Sequence, residues 1–188
     1  IAKYDDYPMN ASIPDSISYL RPNVMFQGMV RPYRNFNIKG IVWYQGEGNV
    51  GRPSTYEQKL IDLAYLLRFT FDNEELPFYL VEIAPYRYES ILSPAQIREA
   101  QFAASQSLYF SGIVSTNDLV PMEEADRIHP SNKQSIGDRL ANLSLLETYG
   151  FDTLEAHSPS FERMEMIGDT ILLRFKNTYK GFRNEGEE

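Results

Sequence analysis

The sequence holds 188 residues, 43% of them hydrophobic and 23% charged, which fits one soluble globular domain, or one domain with a fragment attached. A formal net charge of −8 argues against a face for nucleic acid or for an anionic membrane surface, and the absence of cysteine excludes disulfides, thiolate chemistry and cysteine metal sites. No stretch approaches the roughly 18 apolar residues of a membrane span. The chain begins at Ile rather than Met, so a missing leader peptide carries no information. Thirteen Tyr and eleven Phe provide flat faces with polar tips that suit sugar or protein ligands. Tyr is equally a good strand former.

Residues 1–22 mix Pro, Asp, Asn and Ser and read as irregular surface structure. Residues 23–36 carry Met25, Phe26, Met29, Val30 and Tyr33 at helical spacing, limited to a turn or two by Pro32. An apolar run then predicts a buried strand over 38–44, ending in Gln45-Gly46-Glu47-Gly48-Asn49. Pro53 leads into a helix over 54–71, with Ser54 or Thr55 as cap candidates and Leu60, Leu63, Ala64, Leu67 and Phe71 as its apolar stripe. A second strand is predicted over 78–84. A second helix follows over 94–108, with Ile97, Ala100, Phe102, Ala104 and Leu108 inward and Pro94 at its first position. The third strand covers 111–116. A polar loop over 117–130 leads to a helix over 131–149, capped by Ser131, with Ile136, Leu140, Leu143 and Leu146 inside and Gly150 as its stop. This alternation specifies an α/β parallel sheet with helices on both faces. After residue 150 the pattern changes. Ser158-Pro159 reads as a linker, and two strands joined by Gly168-Asp169 read as a hairpin that begins a β-rich unit over 151–188. Both ends are expected to be cut from something larger.

Chemistry concentrates in two places. Gln45, Glu47 and Asn49 sit just past a strand end, where open α/β sheets bind ligands, and Gly46 and Gly48 leave room for close approach. They also suit a turn that satisfies its own backbone. Asp126 precedes His129 by three residues at a loop–helix junction, a spacing that lets a carboxylate fix the imidazole tautomer and free the other nitrogen as a base. An exposed histidine beside a solvated carboxylate has the same spacing. His157 falls in the linker and is expected to be solvated. Glu47 and Asp126 also allow a glycosidase carboxylate pair, or Glu47 a hard-cation site. Phosphate-loop, dinucleotide, zinc-protease and EF-hand motifs are absent.

The block Ile38 to Asn49 together with Asp126-Arg127-Ile128-His129-Pro130 resembles the sialate O-acetylesterase family of SGNH-type hydrolases. Gln27-Gly28-Met29-Val30, with Pro32 and Phe36, resembles that family's Asn-Gly-Met-(Ile/Val) segment, so the resemblance spans about residues 22–150. It implies a three-layer flavodoxin-like sheet, here incomplete at the N-terminus, with a partial hydrolase domain over 1–150. It implies an acetylated carbohydrate as substrate, with no metal and no cofactor. The net charge leaves no nucleic-acid or membrane partner expected, and the expected location is periplasmic or secreted, with the cytoplasm as the alternative. His129 becomes the general base and later acid, and Asp126 its orienter. Gln45 and Gly46 fall in the oxyanion block, with Glu47 and Asn49 supporting the turn or touching substrate. Gly48 stands where the family has Ser. The family's nucleophile block, Gly-(Asp/Gln)-Ser followed by Asn, has no counterpart at any glycine, and its second glycine block is also missing. The expectation is a chain that carries the base without the nucleophile and is inactive alone. Missing strands would leave an exposed sheet edge that invites association. A non-catalytic carbohydrate-binding remnant remains the alternative.

Overall fold

The structure is a computed structural model that describes residues 23–90, 92–179 and 181. The expectations for residues 1–22 and 182–188 lie outside the described residues. Three short strands, β1 (Ile41–Tyr44), β2 (Phe78–Val81) and β3 (Ser111–Val114), form a parallel sheet in the order β1-β2-β3. Their registers are aligned: Ile41 pairs with Phe78, and Phe78 with Ser111. Three helices follow the strands, α1 (Tyr56–Thr70), α2 (Leu92–Ser107) and α3 (Gln134–Glu147).

The period-2 alternation of β2 builds two cores. Phe78 and Leu80 face one way and pack with Tyr56, Leu60, Ala64 and Leu67 of α1 and with Ile97, Ala100 and Ala104 of α2. Tyr79 and Val81 face the other way and pack with Val114 and with Ile136 and Leu143 of α3. Helices therefore cover both faces. Each fully buried Phe, Leu or Ile contributes about 1.5–3 kcal/mol, so β2, buried on all four residues, is the spine of the fold. Gly112 lets α3 close on the sheet, since a Cβ there would lie 3.0 Å from Leu143 Cδ2.

The strands are shorter than their apolar runs. Ile38 to Gly40 are outside the ladder, and Glu82 to Ala84 leave it, although Ile83 and Ala84 stay buried. The runs marked burial, not pairing. Helix α1 begins at Tyr56 because Pro53–Thr55 form a 3-10 turn, and neither Ser54 nor Thr55 caps it with a side chain. Phe102 is 43% exposed, a correction to its inward assignment. It sits outside the stripe of Ile97, Ala100, Gln101 and Ala104, which recurs at i+3, i+4 and i+7. Ser131 does not cap α3, which starts three residues later. Its hydroxyl donates to Glu124 Oε1 at 2.6 Å instead.

Beyond α3, Gly150 has a φ of +71°, as a helix stop requires. Strands β4 (Ser160–Ile167) and β5 (Thr170–Lys176) form an antiparallel hairpin closed at Gly168-Asp169. The linker docks on the end of β3, where Ser115 N donates to Ser158 Oγ at 3.3 Å.

Candidate active site

The ladder ends at Tyr44, Val81 and Val114, so the segments after these residues crowd the carboxyl end of the sheet. After β1, Gly46 to Asn49 form a tight turn in which Asn49 N donates to Gly46 O at 2.8 Å. Gly46 is obligatory, because a Cβ would lie 2.5 Å from Ile83 Cγ2 and 3.1 Å from the Tyr56 hydroxyl. Gln45 Nε2 donates to Asn49 Oδ1 at 2.9 Å. The Tyr56 hydroxyl reaches Gln45 O at 2.6 Å and Gln45 Oε1 at 3.0 Å. The carboxamide is therefore held at its oxygen end, with one N–H engaged by Asn49 and the second without a partner among the described residues.

The loop after β3 is fastened to the same end of the molecule. Arg87 N donates to Ala125 O at 2.7 Å, and Arg87 Nε lies 3.4 Å from Asp126 Oδ1. Glu124 accepts Ser131 N at 2.9 Å as well as the Ser131 hydroxyl, and these bonds hold its carboxyl below the usual glutamate range. Lys133 Nζ sits 4.6 Å above the Tyr44 ring, which joins the start of α3 to the end of β1. Asp126 and His129 are both exposed, and among the described residues no hydrogen bond links them. Asp126 pairs with Arg87 instead. The loop lies at the carboxyl end of the sheet, and the Asp126–His129 contact that the spacing allows is not made.

Burial first, and the Glu47 carboxylate second, push the Tyr44 hydroxyl above its ordinary pKa. The same two causes act on Tyr88, raised to about 12, and burial leads again at Tyr56, also about 12, where Glu47 adds to the rise and Gln101 opposes it. These phenols stay protonated donors at neutral pH. Tyr86 and Tyr88 meet edge-to-face at 4.8 Å, and the Tyr88 hydroxyl and Trp43 Nε1 are buried without partners among the described residues. The end of β1 thus carries an aromatic cluster with two buried polar atoms that lack partners among the described residues.

Two residues that hold the site carry no motif. Tyr56 is one. Gln101 is the other: it is fully buried and bonds to the ends of both β1 and β2. The available signal was a polar residue on an apolar stripe, four after Ile97 and three before Ala104. His157, expected to be solvated, instead lies 2.9 Å from Glu147 Oε1, because the linker turns back along α3. Among the described residues no group of three or more His, Asp or Glu could hold a metal ion. A cleft of about 800 Å³ between α2, the outer edge of β3 and the hairpin includes Glu82, Arg98, Phe102 and Phe161 but neither Gln45 nor His129.

Comparison with known proteins gives this end of the sheet a family. The model of the carbohydrate esterase family described as sialic acid-specific acetylesterase matches residues 11–145. A sialate O-acetylesterase from Homo sapiens is 29% identical over 184 residues, covering 88% of this chain and 35% of the relative. One from Mus musculus is 27% identical over 169 residues, covering 81% and 31%. A solved carbohydrate acetylesterase from Xanthomonas citri superposes with a TM-score of 0.74 at 28% identity, over 83% of this chain and 36% of that one. The chain spans about a third of the length of the curated relatives it matches. It belongs to the sialic acid-specific acetylesterase family of carbohydrate esterases.

Proposed function

We propose that these residues supply the general base and an oxyanion donor of a carbohydrate O-acetylesterase whose nucleophilic serine lies outside the 188 residues. The carrying observation is the Gln45 carboxamide, held by Tyr56 and Asn49 at the strand end with one N–H unpartnered, on the end of the sheet that also bears the Asp126–His129 loop. The aromatic surface around Tyr44, Tyr86 and Tyr88 suits the face of a sugar.

In this reading the serine Oγ attacks the acetyl carbonyl while His129 takes its proton. The carbonyl oxygen becomes an oxyanion that the free Gln45 N–H stabilises, an effect worth about 10²–10³ in rate in other hydrolases. Collapse breaks the ester bond, and His129 returns the proton to the departing sugar hydroxyl. Water, deprotonated by His129, then attacks the acyl-enzyme; the bond to the serine oxygen breaks, acetate leaves, and His129 returns the proton to the serine. Asp126 orients His129 once it exchanges its Arg87 contact for the imidazole. Glu47 and Asn49 fix the turn. Residues 151–159 form the linker, and the β4–β5 hairpin follows it.

The test uses an active polypeptide containing these residues. A fluorophosphonate probe should label one serine outside them, and His129→Ala should lower kcat/KM on an acetylated sugar by about 10³-fold or more. Deacetylation untouched by His129→Ala would overturn the assignment.

A further inference from the structure

The carboxyl ends of β1 and β2 pull apart just where the turn begins. The ladder's last pair is Tyr44 with Val81, and the backbone groups of Gln45 and Ile83 beyond it have no strand partner between them. Gln101 fills that gap. Its Oε1 accepts Ile83 N at 2.9 Å, and its Nε2 donates to Val81 O at 3.2 Å and to Gln45 O at 3.1 Å. Both amide hydrogens and the amide oxygen are engaged, and the side chain is 0% exposed. A buried carboxamide with every donor satisfied by backbone is a rigid cross-link. Gln45 O receives a second donor, the Tyr56 hydroxyl, so two side chains from two helices pin one carbonyl. The same hydroxyl touches Gln45 Oε1, so the peptide and the side chain of Gln45 are fixed together.

We propose that Gln101, with Tyr56, is a positioning residue that sets the direction of the Gln45 carboxamide without touching substrate. The inference rests on Gln45 acting as an oxyanion donor. If the 45–46 peptide is freed, the Gln45 side chain can rotate, and its unpartnered N–H loses its aim. A displacement of about 1 Å in such a group is enough to cost about 10²-fold in rate.

The test pairs two measurements. In an active polypeptide containing these residues, Gln101→Met keeps the volume and removes the bonds, and Tyr56→Phe removes only the hydroxyl. Each should lower kcat by about 10- to 100-fold with KM within about twofold, because the effect falls on the transition state. In a Gln45→Ala background both should become nearly silent in kcat, while their effect on the melting temperature persists. A purely structural role would persist in both readouts, and undiminished kcat losses in that background overturn the proposal. The second measurement is NMR of the Gln45 side-chain amide in the 188-residue chain. The Gln45 side-chain amide resonances should sit away from their random-coil positions and move toward them in Gln101→Met while the backbone amides of β1 to β3 keep their positions. An unchanged Gln45 amide overturns positioning. That movement in a protein that deacetylates nothing keeps the positioning and removes the acetylesterase reading alone.

Discussion

At the scale of single residues, Gly46 is the most constrained position of the site. Gly46→Ala would force a Cβ into Ile83, Tyr56 and Gln101 at once, with Ile83 closest at 2.5 Å. Overpacking of this kind costs about 1–3 kcal/mol, so the urea midpoint should fall with the slope unchanged. Glu82 offers a pH test. Burial raises its carboxyl above the ordinary glutamate value of 4.5, with nearby Arg98 opposing. A raised acid binds its proton more tightly when folded, so stability falls as pH rises from 4.5 through the folded pKa. Glu82→Gln keeps an acceptor for Asn117 and removes the titration. Its advantage over the parent should therefore be absent below pH 4.5 and appear above it, in melting temperatures taken across pH. Gln45, Asp126 and His129 were legible as candidates, because a motif announces them. Gln101 and Tyr56 were not, because their roles depend on backbone groups 56 and 11 positions away that only the fold brings near.

At the scale of elements, the order strand–helix–strand–helix–strand–helix was legible, because each burial pattern has its own period. The ends of the elements were not. An apolar run reports that a segment is buried, and Ile83 and Ala84 are buried after their ladder has ended. Helix α1 shows a second limit. Arg68 lies in its last turn, where a basic residue ordinarily faces solvent and the helix dipole. Instead it is buried, with Nε donating to Leu76 O at 3.0 Å and Nη2 to Tyr109 O at 2.5 Å. It ties α1 to the segments that enter β2 and β3. Arg68→Met keeps the stem and strands these carbonyls. Lost hydrogen bonds to a charged group are worth about 1.5–3 kcal/mol each, so the variant should unfold at clearly lower urea with little change in the exposed surface of the native state. A midpoint within error of the parent would show that water replaces the guanidinium at no cost.

At the scale of the whole molecule, the described sheet has two unpaired edges, β1 and β3. Strand β1 pairs only with β2 among the described residues, and Val42 is 54% exposed. The β4–β5 hairpin likewise exposes Met166 at 72% and Ile167 at 62%. Exposed strand edges and apolar faces of this kind favour association with other chains. The most direct measurement is hydrolysis of p-nitrophenyl acetate by the purified 188-residue chain beside its His129→Ala variant. The expected result is equally negligible turnover for both, with activity arising only when the serine-bearing segment is present. Robust turnover by the 188-residue chain, abolished by His129→Ala, would contradict the placement of the nucleophile outside it.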